Sequence, residues 1–577
     1  MKVKKNGWKK ILACGIILIS LLSVSAEAAD QTKTASRQGD LDYLYSTLKT
    51  SHPNLFANTP ESAFEARKSE IERQLDTESN FNFALDCASL AALAKDSHTN
   101  VSLGSSGYSL HVCLFDMDLY DGTWVLSAID RAHQSLLGSE VTAINGFTME
   151  QVLEKFETFL SADNPVKLQY LYWQMCYVLE PYEYLGVAEQ GQPLRVTVKD
   201  PAGNTQALSV SAVEESAFQS DDLALLKNQQ ASIAATAYDK AKVYFGEELN
   251  DHTYYIQYNQ CAEDPSLPMK TFCQEVQSDL DAGNYSLILI DLRNNGGGSD
   301  GVLAPMLELL AQQRSKGIQV AGLIGRKTFS SAIINAVELQ EMGFPLAGED
   351  TGGSVDHFGS VQSFQLPSSG LRVGISSKFI SLSNYFDAAS GKGVETLQPD
   401  VKIAQTLRDT LTGRDTCVEA ILSEPGILKP ADRSNAPMTR GRFVSMLYKA
   451  AGSPAQNMQA LPFDDLFGIE WYLPAVNWAK SKQIALGDTT GKFISARAIS
   501  WQEAAVFMVR SADALDIHPA ATQSGSVPAI LKTAAWSQDA VQKARAWGLL
   551  PESGDFSTAP TRVQGETMIK QLLALRV

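Results

Sequence analysis

The stretch "YSLILIDLRNNGGGSDG", residues 285 to 301, constrains the fold more than any other part of the chain. Its unbroken apolar run, "LILI", has no polar face to turn to water. Such a strand belongs inside a parallel sheet covered on both sides. The neighbouring pattern agrees. "DGVLAPMLELLAQQ" has the spacing of an amphipathic helix, "IQVAGLIG" is a second apolar strand, and "SSAIINAVELQEMG" a second helix. This alternation predicts an α/β core between about residues 240 and 425. Gly296, Gly297 and Gly298 follow the strand at its carboxyl end, the edge where open α/β sheets hold ligands. Bare glycines allow left-handed turns and close approach to the backbone, and their amides can face a developing anion. A nucleotide-binding loop would want a lysine after the glycines, and none is present.

A chain of 577 residues is long enough for roughly three to four domains. Its net charge of −17 argues against a nucleic-acid surface. Residues 1–29 read as a separate unit. "MKVKKNGWKK" carries five lysines, "ILACGIILISLLSVSA" is apolar, and Ala26-Glu27-Ala28 fits a small-x-small cleavage site. The expectation is a secretory signal peptide cut near Ala28–Ala29; removing five lysines and one glutamate takes the charge from −17 to −21. Seven cysteines show neither the density of a disulfide scaffold nor a CxxC metal pair. Cys261 and Cys273 are close enough in sequence to bridge. No HExxH or other zinc spacing occurs, so no metal or cofactor is expected.

Before the core, residues 37–105 read as largely helical through "LDYLYSTLKTSHPNLFANTPESAFEARKSEIERQL" and "FNFALDCASLAALAKD". Residues 106–215 read as β-rich, with an Asn-Gly turn in "GSEVTAINGF" and a hairpin in "LRVTVKDPAGNTQALSV". A long helical insert, "LQYLYWQMCYVL", lies between them. The α/β core is taken as 216–425. Beyond a linker, residues 430–577 repeat: Thr439-Arg440, Ser500-Trp501 and Thr561-Arg562 recur at an interval of 61 residues, each opening an apolar helix.

Two serines, Ser330 and Ser331, stand where a strand gives way to a helix. Free amides and the helix dipole favour negative charge there. Taken alone, ordinary N-capping is the commoner reason for a serine at such a place. A nucleophile needs a base. His98, in "KDSHTNV", and His357, in "TGGSVDHFG", are the histidines in polar, glycine-rich settings.

Taken in order, "DSHTNV", "GSEVTAING", "LILIDLRNNGGG", "TFSSA", "LAGEDTGG" and "LQPDVKI" resemble the tail-specific, or C-terminal processing, serine peptidases and their relative tricorn protease, from Leu41 to Ile403. The resemblance implies an α/β (α+β) multidomain chain. It comprises an N-terminal helical part, a PDZ-like β module, a core of the ClpP/crotonase-like type and an all-α C-terminal region. It implies Ser330 as nucleophile, the amides of Gly298 and Ser331 as oxyanion donors with Gly297 beside them, and a polypeptide substrate. Asp291 and Arg293 look structural, fixing the turn. Processing members place a lysine base after their "GE-P-T" loop, whereas this chain has Ser354 at the matching position. Tricorn-like members use a histidine preceded by serine, which Ser97-His98 matches. His98 is therefore the expected base, His357 a rival or a substrate-loop residue, and Glu395, then Asp387, the expected orienting acid. The missing lysine supports an alternative, an inactive peptide-binding scaffold.

The C-terminal repeats resemble S-layer homology modules, which attach proteins to Gram-positive-type cell walls. The resemblance implies a secreted protein at the cell surface that binds wall polymer. Ser500-Trp501 replaces Thr-Arg in the middle copy, no copy keeps the full acidic motif, and the first lacks its leading half. Oligomeric state is not legible.

Overall fold

The computed structural model describes residues 30–576 except 105–107, 227–241, 381, 383–395, 431–434, 457–460, 467–471, 496 and 519–531. The expected signal peptide lies outside the described residues. The chain is a mixed α/β protein of several parts.

Three helices lead: Asp30–Ser51, Glu61–Glu72 and Asn80–Ala92. Leu41, Leu44 and Leu48, spaced by three and four, are all fully buried. The third helix is capped by Ser79, which accepts from the Asn82 amide, and hides almost every side chain. These helices share one core with the antiparallel sheet that follows. That sheet runs in the order Leu223–Leu225, Thr123–Asp130, Glu140–Ile144, Leu194–Lys199, Thr205–Val210. Phe115–Tyr120 adds to Thr123–Asp130, and Phe147–Thr148 adds to Glu140–Ile144. The "DPAGN" hairpin pairs Leu194 with Val210 through Lys199 with Thr205, as its turn chemistry predicts.

The helical insert differs from its expected form. It is two short helices, Pro165–Trp173 and Leu179–Tyr184. The chain between them is pulled onto the sheet, where the Cys113 amide donates to the Tyr177 carbonyl at 2.7 Å and Val178 pairs with Val112. Trp173 Nε1 also donates to Asp118 at 2.8 Å. Helix propensity is a weak prior, and these tertiary bonds outweigh it.

The central sheet has six strands in the order Tyr244–Asn250, Thr253–Tyr258, Leu287–Asp291, Gln319–Ile324, Leu346–Gly348, Val401–Lys402. All neighbours are parallel except the first pair. Every residue of Leu287–Asp291 is buried. Ile288 and Ile290 face one core with residues of the helices Met269–Ala282, Ala304–Ser315 and Ser331–Glu341. Leu287 and Leu289 face another with Cys417, Val418 and Ile421 of Thr416–Ser423. The period-two alternation divides one strand between two covered faces.

Below the carboxyl end of this strand, Arg293 bridges Asp291 and Asp415, with Nη2 2.6 Å and 2.7 Å from the two carboxylates. Both residues thus brace the turn. A separate sheet joins Asn100–Val101, Arg372–Ile380 and His357–Gln365. Cys261 and Cys273 do not bridge: Cys87, Cys113, Cys176, Cys261, Cys273 and Cys417 are all free and buried. Cys261 Sγ instead lies 3.4 Å from the side-chain carbonyls of Asn295 and Asn335.

In the C-terminal region Thr439, Ser500 and Thr561 each cap a helix, accepting from the amide three residues on. The interval of 61 residues is thus an interval of helix starts. Arg440 is buried and donates to Glu503 at 2.6 Å. Arg562 pairs with Glu341 at the end of Ser331–Glu341, and Arg442 donates to the carbonyl of the same glutamate at 2.7 Å.

Candidate active site

Ser330 stands between the strand Gln319–Ile324 and the helix Ser331–Glu341. Its backbone has φ 53 and ψ −129, a left-handed conformation that costs a residue with a side chain of order 1–3 kcal/mol. The surroundings enforce it. Thr328 donates to the Leu292 carbonyl at 2.9 Å, and the Phe329 amide to the Asn295 carbonyl at 3.1 Å. Ser330 occupies the N-cap position but makes no capping bond. Simple helix capping therefore does not explain this partly exposed residue, whose hydroxyl makes no hydrogen bond among the described residues.

The glycines lie directly against this serine. A Cβ on Gly297, at φ 100, would come within 2.7 Å of Ser330 Cβ and 3.1 Å of the Ser331 amide nitrogen. A Cβ on Gly298, at φ 137, would come within 2.2 Å of the Cys261 carbonyl oxygen. Cys261 holds the run by bonds from its amide to Gly297 (3.1 Å) and to its carbonyl from Ser299 (2.7 Å). Ser331 Oγ donates to the Gly298 carbonyl at 2.8 Å, which draws the two segments together. Among the described residues the amides of Gly298 and Ser331 donate to nothing. The second is the first amide of a helix, which has no partner within the helix.

His98 arrives from the other side. Its loop is pinned by Asp96, which accepts from the His98 amide (2.9 Å), Thr99 (2.6 Å) and Ser376 (2.6 Å), and lies 3.3 Å from His52. Burial alone would raise the Asp96 pKa. The bond from His52, the neighbouring His98 and the bonds from Ser376 and Thr99 outweigh it and hold the group below the usual carboxylate range. Pairing of Asn100 with Gly374 ties the loop to the hairpin that begins at His357. The His98 ring is 6% exposed. It stacks on Phe329, the residue before Ser330, at 4.5 Å between centroids, and on His357 at 5.4 Å. Neither ring nitrogen of His98 has a hydrogen-bond partner among the described residues. Burial first, then the neighbouring His357, pushes its pKa down to about 3, against the pull of Asp96. The imidazole is therefore neutral at working pH.

Ser97 is held by Asp163: its Oγ donates to the carboxyl at 2.6 Å and accepts from the Asp163 amide at 3.0 Å. His357 Nδ1 lies 2.7 Å from the Ser354 carbonyl and so carries the hydrogen. Glu395 and Asp387, the expected orienting acids, lie outside the described residues. The carboxylate seen beside His98 is Asp96, with Oδ1 3.8 Å from Nδ1. It stands two positions before His98 in the same "DSHTNV" stretch. Asp163, just before the helix Pro165–Trp173, and Lys167, within it, carried no motif to find them by. Lys167 Nζ sits 3.5 Å from the Phe329 ring centroid. Burial pushes its pKa down to about 8, opposed by Asp163. Among the described residues no cluster of His, Cys, Asp or Glu fits a metal ion.

The structure thus gathers Ser330, Ser331, Gly297 and Gly298 in one turn, and sets His98 and His357 in a stack that ends on Phe329. No family model matches the chain, and no curated protein does. Among solved structures it is similar to mature CPAF complexed with lactacystin, at 14% identity over 66% of this chain and 96% of that one, TM-score 0.44. It is also similar to the photosystem II D1 C-terminal processing protease, at 14% identity over 64% of this chain and 93% of that one, TM-score 0.28. Tricorn protease is 13% identical over 68% of this chain and 37% of that one, TM-score 0.30.

Proposed function

We propose that this chain is a serine peptidase in which Ser330 is the nucleophile and His98 the general base. One observation carries the reading: Ser330 is held in a costly left-handed conformation at a helix start, with a hydroxyl that makes no hydrogen bond among the described residues. Strain of this kind clusters at functional sites. In the proposed reaction, Ser330 Oγ attacks the scissile carbonyl carbon while its proton passes to His98. The carbonyl oxygen becomes an anion facing the amides of Gly298 and Ser331. Collapse expels the amine, which takes the proton from His98 and leaves an ester on Ser330. Water, giving its proton to His98, then hydrolyses the ester and restores the serine. His357 buttresses the His98 ring.

The test is fluorophosphonate labelling of the full mature chain, mapped by mass spectrometry. The expected label falls on Ser330, is absent in Ser330→Ala, and slows about 10²–10⁴-fold in His98→Ala. A folded protein that takes no label, and cleaves no protein substrate, is instead a peptide-binding scaffold.

The reading extends to secretion through residues 1–29 and retention at the cell wall through the C-terminal repeats. What supports retention is the three regularly spaced, capped helix starts. The arginines Arg440 and Arg562 are already ion-paired within the chain. Co-sedimentation of residues 430–577, as part of the whole chain, with purified walls is the check: loss of sedimentation on removing them supports retention.

A further inference from the structure

Behind the His98–His357 stack lies a cleft of about 790 Å³, bordered by the helix Met149–Phe156, the approach to Pro165–Trp173 and the loop from Ser354 to Phe358. Ser330 is not part of its lining. Its charged groups are mostly acidic, among side-chain amides such as Asn58 and Gln169. Glu150 and Glu154 lie one helical turn apart on its rim, exposed, with no ion pair among the described residues. Lys95, the cation in the lining, is already paired with Glu157. Deeper in, Asp163 uses Oδ1 for Ser97, while its buried Oδ2 has no partner among the described residues. His357 is only 4% exposed and borders the same space. Its Nδ1 hydrogen goes to the Ser354 carbonyl, which leaves Nε2 as the accepting nitrogen of the neutral ring, and that atom is also unpartnered among the described residues.

Three of the four groups are carboxyls; burial raises the Asp163 pKa, and a cationic partner would draw that group back to its ionised, accepting form. Leaving the buried acceptors of Asp163 and His357 without a donor is unfavourable. An anionic or acceptor-rich ligand would make the cleft worse. A cationic donor would satisfy Asp163 and His357 and meet the field of Glu150 and Glu154 on the way in.

We propose that this cleft is a subsite for a basic side chain, lysine or arginine, of a polypeptide ligand, with Glu150 and Glu154 as the entrance and Asp163 and His357 as the floor. This rests on the reading that the chain takes polypeptides, but not on catalysis.

Calorimetry on full-length Ser330→Ala, which binds without turnover, tests it. The probes are N-acetylated, C-amidated decapeptides that differ only at one central residue: Lys, Arg, Gln or Glu. The Lys and Arg peptides are expected to bind about tenfold or more tighter than the Gln peptide, with the Glu peptide weakest, and the preference should shrink with added salt. In the Glu150→Gln/Glu154→Gln variant, whose changes are exposed and isosteric, the preference should fall several-fold. Equal affinity for all four peptides, or a preference untouched by the double variant, overturns the proposal. A decapeptide with a free amino terminus and central Gln separates the sources of positive charge: if it matches the Lys peptide, the site takes an amino terminus and the side-chain assignment falls. The two readings fail separately. Charge-selective binding with no cleavage by the wild-type chain removes the peptidase and keeps the subsite; cleavage without charge selection does the reverse.

Discussion

At the scale of single residues, the site's glycines are not equivalent. Gly298 has the positive φ and the Cys261 carbonyl where a side chain would go, whereas Gly296 has nothing within 4 Å of a built Cβ. Gly298→Ala is therefore expected to cost a few kcal/mol, of order 1–3 from strain alone, while Gly296→Ala stays near neutral. Denaturant midpoints of the two variants make the comparison. His98 gives a second residue-scale prediction. Its folded pKa is about 3, below the ordinary value of about 6.5. Between those values the unfolded chain binds the proton and the folded chain does not. Stability therefore rises with pH across that window, and the His98 contribution is lost as pH falls through it. Replacing His98 with Gln, which takes no proton, should flatten the decline of unfolding free energy between about pH 6.5 and pH 4.

At the scale of elements, what was legible in the sequence was what local chemistry decides. Leu287–Asp291 reads as a doubly covered strand because its first four residues are all apolar and leave no face for water. Thr439, Ser500 and Thr561 read as helix starts because hydroxyls cap. Replacing Ser500 by Ala should cost about 1 kcal/mol, seen as a lowered midpoint in urea, since its hydroxyl and Glu503 form a reciprocal cap. The insert was misread as one helix because its break depends on Cys113 and Val112, more than fifty positions away in sequence. The same distance hid Asp163 and Lys167: their place beside Ser97 and Phe329 is set by where the insert docks, and nothing in their own neighbourhood announces it. Ser330, Gly298 and His98, by contrast, each sit at a strand or helix end that the pattern exposes.

At the scale of the whole molecule, the C-terminal region meets the core at Glu341, where Arg442 and Arg562 converge. Glu341→Ala is expected to loosen this junction, giving faster hydrogen exchange in the helix Arg440–Ala450 while the strand Leu287–Asp291 stays protected. Unchanged exchange would show that the junction contributes little. Finally, the backbone of Ser330 sets the fitness of the fold against that of its chemistry. Glycine occupies such a conformation without penalty, so Ser330→Gly should raise the unfolding midpoint of the entire chain, by an amount equivalent to about 1 kcal/mol, while removing the hydroxyl. At such a position the side chain works against the fold that carries it, so sturdiness and hydroxyl chemistry can be measured apart in one substitution.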